Sequence, residues 1–275
     1  RAPRSRPPPL PWLVGAATAL VATVLVAVTI GSADLGVGEV WRSVAWHLAR
    51  GVGVDHLVTV EPLSVLRDGI VWQVRLPRVL TAAAVGAGLA LCGVVMQSLT
   101  RNPLADPYLL GLSSGASLGA VLVLVLGLGV LLPVAAFAGA VLALAAALGL
   151  AGALGAITPT RTVLSGLAVS QLCAAATSFV IFWSATGDSY REILSWLMGS
   201  VAGATWGSVA IAGIAVLVLG SLLALSGSVL DAFTFGDSSA AALGISVERT
   251  RWLLLVGVAL LTGALVSVSG AVGFV

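Results

Sequence analysis

Long uncharged stretches alternate with short polar segments along the 275 residues of the chain. A transmembrane helix needs about 20 consecutive apolar residues, and these stretches supply them. The uncharged interval 107–160 is too long for one helix and contains Pro133 near its middle, so it holds two. We therefore predict about seven spans, over residues 13–31, 79–99, 110–128, 132–155, 162–185, 205–226 and 252–274.

The composition favours a membrane protein. Hydrophobic residues make up 59% of the chain and charged residues only 9%, whereas water-soluble domains carry about 25% charged residues. The apolar run after Arg1, Arg4 and Arg6 has no small-residue cleavage site before Asp34, so we interpret it as a retained helix and not as a signal peptide. The basic residues are scattered along the chain, which argues against nucleic-acid binding.

The arginines give a weak indication of topology. If the tail 1–12 is cytoplasmic, the segment 32–78 is a long outer loop and 227–251 is a cytoplasmic loop. The inner segments then carry seven arginines and the outer segments six, a narrow margin under the positive-inside rule. Seven spans would also leave an apolar C-terminus without a polar cap. We therefore expect a single transmembrane domain over 1–275 that is truncated at its C-terminus.

The predicted spans contain no Asp, Glu, Lys, Arg or His. Carriers driven by protons or ions usually place such groups along their pathway, so the energy for transport would come from elsewhere. Cys92 and Cys173 lie inside spans without a nearby histidine, which disfavours a disulfide and a metal site. Because Met96 and Met198 are the only other soft ligands, a metal cargo would arrive wrapped in an organic chelator. No cofactor is predicted for this chain.

One motif raises the possibility of an enzyme. The sequence Gly111-Leu-Ser-Ser-Gly115 matches the G-x-S-x-G pattern of serine hydrolases. Such a serine needs a histidine partner, but His47 and His56 both lie in the predicted outer loop, away from the motif. The chain has no lysine and hence no P-loop for ATP hydrolysis. We therefore predict that the chain is not an enzyme.

Glycines recur every four residues at Gly111, Gly115 and Gly119. This spacing indicates a helix face where another backbone approaches closely. An additional interpretation is that residues 104–114 form a non-helical re-entrant segment beside a translocation pathway. Pro103 and Pro107 would interrupt the helix there, and the freed backbone groups would be buried in protein.

Two polar regions are candidate contact sites. Arg75 and Arg78 share one helix face at the predicted outer boundary, where they either extend toward lipid headgroups or bind carboxylates of an acidic partner. In the loop 227–251, the sequence predicts a short helix over 238–243 with Asp237 as its N-cap and Gly244 as its end. Phe233 and Phe235 indicate that this helix presses against a partner.

Several of these motifs follow one another in an order that resembles a known family. They are Arg75-Leu-Pro-Arg78, Gly86–Leu91, Gly93, Gln97, the segment Asn-Pro-Leu-Ala-Asp-Pro at 102–107, Leu110-Gly111, Ser-Ser-Gly-Ala at 113–116, Trp196–Ser200, Gly236-Asp237, Ala240, Leu243-Gly244 and the C-terminal segment 269–275. Over about residues 72–275, the chain resembles the permease subunits of ABC importers for iron–siderophores, haem and cobalamin.

The resemblance implies an all-α polytopic permease with ten spans in the full family, of which about seven are expected here. It also implies a second permease subunit, in a homodimer or a heterodimer, in the inner membrane of a bacterium. Two ATPase subunits that bind Mg-ATP and an extracytoplasmic binding protein would complete the importer. The expected cargo is a metal chelate, with a ferric siderophore preferred and haem or cobalamin as alternatives. A non-transporting membrane scaffold or receptor is the alternative from another class.

The resemblance also implies roles for individual residues. Arg75 and Arg78 would receive carboxylates of the binding protein, and segment 230–244 would be the coupling helix in an ATPase groove. The coupling residues are Phe235, Gly236, Asp237, Ala240, Leu243 and Gly244. The residues of the pathway and re-entrant segment are Gln97, Asn102, Pro103, Asp106, Pro107, Gly111, Ser113, Ser114 and Gly115. Ser238 and Ala241 stand where the family often carries charged residues, which leaves the ATPase contacts open.

Overall fold

The computed structural model describes residues 10–53, 63–127, 129–153, 155, 158–184 and 187–272, which form helices and turns without any strand. The helices are α1 (Leu10–Thr29), α2 (Val37–Val52), α3 (Val65–Thr100), α4 (Leu112–Leu126), α5 (Leu132–Ala153), α6 (Pro159–Ser184), α7 (Gly187–Met198), α8 (Trp206–Leu225), α9 (Gly227–Thr234), α10 (Asp237–Ala242) and α11 (Val247–Ser269). The predicted all-α class is confirmed. Arg1, Arg4, Arg6, His56 and the motif residues 273–275 lie outside the described residues.

Six helices in the described part are long and apolar enough to cross a membrane, namely α1, α3, α5, α6, α8 and α11. This confirms a multi-pass membrane protein. The remaining predicted span corresponds to α4, whose 15 residues reach only about 22 Å, short of a hydrocarbon core of about 30 Å. Among the described residues, the six full-length candidate spans and this one short apolar helix agree approximately with the predicted count of about seven.

The segment 32–78, predicted as a loop, contains α2 and the first part of α3. The search for long uncharged runs overlooked α2 because this helix is amphipathic. It buries Val40 and Val44 on one face and carries charged residues on the other. Glu39 caps the first turn of α2, since its carboxylate accepts the Gly36 N–H at 2.9 Å.

The chain divides into two compact units, residues 1–83 and 84–275, with the boundary inside α3. In the first unit, polar side chains join α2 to the beginning of α3. Ser43 and His47 bind the two carboxylate oxygens of Asp68 at 2.6 and 2.9 Å. The His47 ring also stacks on Trp72, with ring centroids 4.0 Å apart. The single domain and the sidedness of its loops stay predictions.

Two helices contain a wider turn. Residues Ile70–Arg75 of α3 and Val216–Gly220 of α8 are π-helical. A π turn accommodates an extra residue within a helix and often occurs near functional sites. In α3 this turn ends at Arg75, one of the predicted docking residues.

In the second unit, α4 and α5 pack backbone against backbone. A Cβ atom added to Gly115 would lie 2.4 Å from the Gly139 carbonyl oxygen, and one added to Gly119 would lie 2.2 Å from the Ala135 carbonyl oxygen. Only glycine fits at these contacts. The predicted glycine packing face is therefore confirmed for Gly115 and Gly119. Gly111 does not belong to this face, because it precedes α4.

The central helix of the second unit is α11. In its most apolar window, 61% of the residues are buried. Its glycines admit close neighbours, since a Cβ atom added to Gly263 would lie 3.3 Å from Phe137 of α5 and one added to Gly257 would lie 3.1 Å from Leu223 of α8. A displacement of α11 would therefore also displace α5 and α8.

Candidate translocation and coupling sites

The predicted re-entrant segment begins where α3 ends. Arg101 adopts a positive φ of 54°, which is unusual for a residue with a side chain and breaks the helix. The Asn102 side chain then accepts the Leu104 N–H at 2.9 Å, and the Asp106 carboxylate accepts the Leu109 N–H at 3.1 Å. The Asp-Pro pair thereby caps a short 3₁₀ helix, Pro107–Leu110.

The segment then approaches the middle of α6 instead of its end. A Cβ atom added to Gly166 would lie 2.0 Å from the Leu109 carbonyl oxygen. Gly166 lies seven residues beyond the first residue of α6, about 10 Å along its axis. Gly111, with φ +81°, starts α4 beside Gly166, about 10 Å along the axis of α6. Because α4 begins beside the middle of its neighbour and not beside its end, α4 is short. The Tyr108 hydroxyl donates to the Val272 carbonyl just beyond α11.

The non-helical part is shorter than predicted. Ser113, Ser114 and Gly115 lie within α4, so the prediction of a non-helical segment up to residue 114 is wrong at its end. The hydrogen bonds that begin α4, including Gly115 N–H to the Gly111 carbonyl at 2.9 Å, form directly after Gly111. A glycine-rich sequence can start a helix when its glycines face another backbone.

Some predicted pathway residues meet at an open cleft of about 370 Å³. Its lining residues are Val94, Gln97, Ser98, Arg101, Asn102, Pro103 and Thr234. Thr234 ends α9, so the cleft connects the predicted pathway to the predicted coupling segment. Arg101 and Thr234 are not among the pathway residues predicted from the sequence. Asp106 and Pro107 lie apart from this cleft lining, and the pathway role of all these residues stays a prediction.

The coupling segment contains two short helices, α9 and α10. Gly236, with φ +105°, is the N-cap of α10, so the prediction of Asp237 as the N-cap is wrong. Asp237 is instead the first residue of the helix. The predicted end at Gly244 is confirmed, because this residue has φ +80° and its N–H binds the Ala241 carbonyl at 2.9 Å.

The side chains of the coupling segment face in two directions. Ala240 is fully buried, and Phe233 is only 1% exposed, so Phe233 packs inside the chain and does not face a partner as expected. Phe235 and Leu243 are 80% and 72% exposed. Phe235 precedes α10 in the sequence, and Leu243 directly follows it. These two apolar side chains form an exposed pair that can contact another protein.

A buried arginine lies behind this pair. The Arg251 side chain, at the beginning of α11, donates from Nη2 to the Asp237 carboxylate at 2.7 Å. Its guanidinium also lies over the Phe233 ring, 5.6 Å from the centroid. Arg251 is not among the site residues predicted from the sequence. The available signal was a charged residue at the start of an apolar helix that follows an aromatic and acidic segment.

Arg75 and Arg78 have different environments. The Arg75 side chain is buried and donates to the carbonyl oxygens of Thr29 and Ala33 at 3.0 and 2.6 Å. A buried guanidinium that already holds two carbonyl groups is unsuited to receive a partner's carboxylate, so the docking prediction is corrected for Arg75. Arg78 is exposed, and its docking role stays a prediction.

The Asp, Glu and Arg residues of the described spans lie in the N-terminal parts of α3, α6 and α11. The remaining lengths of the spans carry none. Among the described residues, no group of three His, Cys, Asp or Glu side chains could hold a metal ion. Together, the apolar spans, the interrupted α3–α4 connection and the exposed α9–α10 segment are those of a polytopic membrane permease.

The comparison with known sequences identifies the family. The FecCD transport family matches residues 19–275, and the chain belongs to this family, as the motifs predicted. Its relatives include the uncharacterized ABC transporter permease protein YvrB of Bacillus subtilis, which is 38% identical over 93% of this chain and 72% of the relative. The cobalamin import system permease protein BtuC of Halobacterium salinarum is 36% identical over 96% of this chain and 78% of its own length.

A third relative is the hemin transport system permease protein HmuU of Yersinia pestis, which is 35% identical over 91% of this chain and 73% of the relative. A solved structure described as an inward-facing conformation of a metal-chelate type ABC transporter superposes with a TM-score of 0.76. It is 29% identical and covers 95% of this chain and 76% of the other. These relatives confirm the prediction of a permease in the cytoplasmic membrane, with ATP hydrolysis assigned to a separate subunit.

Proposed function

We propose that this chain is the permease of an ATP-driven importer and that it moves a metal chelate across the cytoplasmic membrane. The observation that carries the proposal is the absence of ionisable side chains along most of the described spans, next to the exposed pair Phe235 and Leu243. A pathway without such groups offers no route for a coupling proton or ion. Mechanical energy delivered to the coupling segment can drive transport in place of a proton or ion gradient.

In this proposal, two ATPase subunits seat the coupling segment, and Phe235 and Leu243 enter an apolar groove on them. Closure of the ATPases around Mg-ATP moves α10, and the spans then open toward one side of the membrane or the other. Gly236, Ala240 and Gly244 set the shape of the segment. Asp237 holds the segment to α11.

The pathway lies beside the interrupted connection between α3 and α4. Gln97, Asn102 and Pro103 line its cleft, while Asp106 and Pro107 fix the 3₁₀ helix that leads to Gly111. Ser113 and Ser114 extend this wall into the first turn of α4, whereas Gly115 packs against Gly139 of α5. A second permease subunit, identical or homologous to this one, supplies the opposite wall.

The cargo is an organic chelate and not a bare metal ion, because the described residues provide no cluster of metal ligands. Ferric siderophore is the cargo proposed from the sequence. Cobalamin is the second candidate, because it is the cargo in the name of the Halobacterium salinarum relative, and haem is the third for the corresponding reason.

The extracytoplasmic binding protein delivers this cargo and docks at Arg78. Arg78→Glu would reverse the charge that receives a carboxylate, and we expect the affinity for the binding protein to fall about 10-fold or more. Arg42→Glu, an exposed arginine on α2, is the matched control. Unchanged affinity in Arg78→Glu would remove the docking role.

The function is tested by uptake. Labelled ferric siderophore, cobalamin and haem are supplied in turn to cells with and without this gene, and to vesicles that contain the permease with its ATPases and binding protein. We expect one chelate to accumulate only when ATP is present. Accumulation without nucleotide hydrolysis would exclude the proposal, and failure to transport any chelate would favour the scaffold or receptor alternative.

A further inference from the structure

We propose that Arg251 is a positioning residue that transmits movement of the coupling segment to α11. The proposal rests on the proposed function, because it specifies how force from an ATPase reaches the spans. It adds a residue that the sequence motifs did not indicate and that lies behind the exposed surface.

The evidence is that one guanidinium joins three consecutive helices. The Arg251 Nη2 atom, on α11, donates to Asp237 Oδ1 of α10 at 2.7 Å. The same guanidinium lies 5.6 Å from the ring centroid of Phe233 on α9, within the range of a cation–π contact. Arg251 and Phe233 are 4% and 1% exposed, so their contact is shielded from water, whereas the Asp237 carboxylate is partly exposed.

The position of α10 depends on these contacts. A helix of six residues has too few internal hydrogen bonds to be stable alone. Its Asp237 side chain is 43% exposed, so it binds the buried guanidinium while part of it faces outward. Because separating the pair would leave the buried Arg251 guanidinium without its carboxylate, the pair resists separation, and α10 carries α11 with it when it moves.

The movement then has a direct route into the spans. α11 contacts α5 through Phe137 at Gly263 and contacts α8 through Leu223 at Gly257. The Cys92 thiol, on the part of α3 in the second unit, also donates to the Val258 carbonyl of α11 at 3.6 Å. A shift of α11 therefore reaches three other helices that surround it.

The experiment measures ATP hydrolysis and transport together in vesicles that contain the complete importer. The variants are Asp237→Asn, which removes the charge with little change in shape, Arg251→Gln and Arg251→Lys. Arg249→Gln is the matched control, since Arg249 is an exposed arginine two residues away on the same helix. ATPase co-purification and thermal unfolding are recorded for every variant.

We expect Arg251→Gln, at a buried position away from the ATPase contact, to retain ATPase binding and hydrolysis, while the number of chelates moved per ATP falls about fivefold or more, the lower end of typical coupling effects. For Asp237→Asn we expect the same fall in the number of chelates moved per ATP. Arg251→Lys is expected to retain part of the coupling, and Arg249→Gln all of it. A purely structural role would instead lower binding, hydrolysis and transport in parallel.

The proposal is overturned if Arg251→Gln or Asp237→Asn moves as many chelates per ATP as the unaltered chain, or if Arg251→Gln loses ATPase binding together with transport. It is also overturned if Arg251→Lys is no better than Arg251→Gln. The unaltered importer is measured first. If that importer fails to use ATP for transport, the proposed function fails, and this result differs from a loss of coupling in the variants.

Discussion

The Arg75 guanidinium lies directly against Gly31, where an added Cβ atom would be 2.6 Å from the Arg75 Cζ atom. The same guanidinium holds the carbonyl oxygens of Thr29 and Ala33. These carbonyls belong to the end of α1 and the turn after it, where a positive charge is favourable. The arginine and the glycine thus form one structural feature that ends the first helix.

This feature predicts a loss of stability in Arg75→Met. Two carbonyl groups would lose a charged donor, each at a cost of about 1.5–3 kcal/mol if left unsatisfied. We expect a lower melting temperature for the purified chain in detergent, and a smaller decrease for Gly31→Ala, because the side chain can shift slightly. Arg78→Met, at an exposed position, is the control, and an equal decrease in that variant would contradict the interpretation.

The glycine contact between α4 and α5 gives a second prediction. Gly139→Ala would place a methyl group 2.2 Å from the Gly115 carbonyl oxygen, so we expect destabilisation of about 1–3 kcal/mol or more. Gly149→Ala, on the same helix, has no neighbour within 4 Å and is expected to stabilise by about 0.5–1 kcal/mol. Thermal unfolding of the two variants in detergent compares them directly, and similar values would rule out the close packing.

The exposed pair at the coupling segment gives a third prediction. Replacing Phe235 and Leu243 together by Asp would introduce charge into an apolar contact. We expect the affinity for the ATPase to fall about 30-fold, as for the loss of an interface hot spot. The exposed Leu66, replaced by Asp, is the control. Binding is measured by titration of the ATPase against the permease in nanodiscs, and retained affinity in the double variant would remove the coupling contact.

The contact between Glu39 and the Gly36 N–H at the start of α2 gives a prediction of pH dependence. The hydrogen bond from the Gly36 N–H lowers the pKa of Glu39 below its ordinary value of 4.5, with further help from Arg67. The carboxylate therefore stabilises α2 above pH 4.5, and this contribution is lost as the pH falls through the lowered pKa.

The comparison is between the unaltered chain and Glu39→Gln. We expect the unaltered chain to have the higher melting temperature at pH 6 and the difference to shrink below pH 4.5. A difference that is independent of pH would show that the charge of Glu39 does not contribute.

Much of the fold follows from the sequence, because hydrophobic length alone specifies the spans. The glycine spacing also identified the α4 contact, and the ordered motifs identified the family. The burial of Arg75 could not be predicted, since it depends on how the end of α1 and the turn after it pack against α3, more than 40 residues further along the chain. In the same way, the burial of Arg251 depends on how α9 and α10 pack against α11. No local sequence pattern predicts this packing.

The π turn at Ile70–Arg75 has a consequence for comparing related chains. A segment with one surplus residue rotates the helical turn before it by roughly 100° relative to the helical turn after it. Deleting a single residue there would restore the ordinary pitch and swing Arg75 away from the carbonyls it holds. Homologues without the surplus residue would show a one-position alignment gap at this site, and their counterpart of Gly31 would be free to carry a side chain.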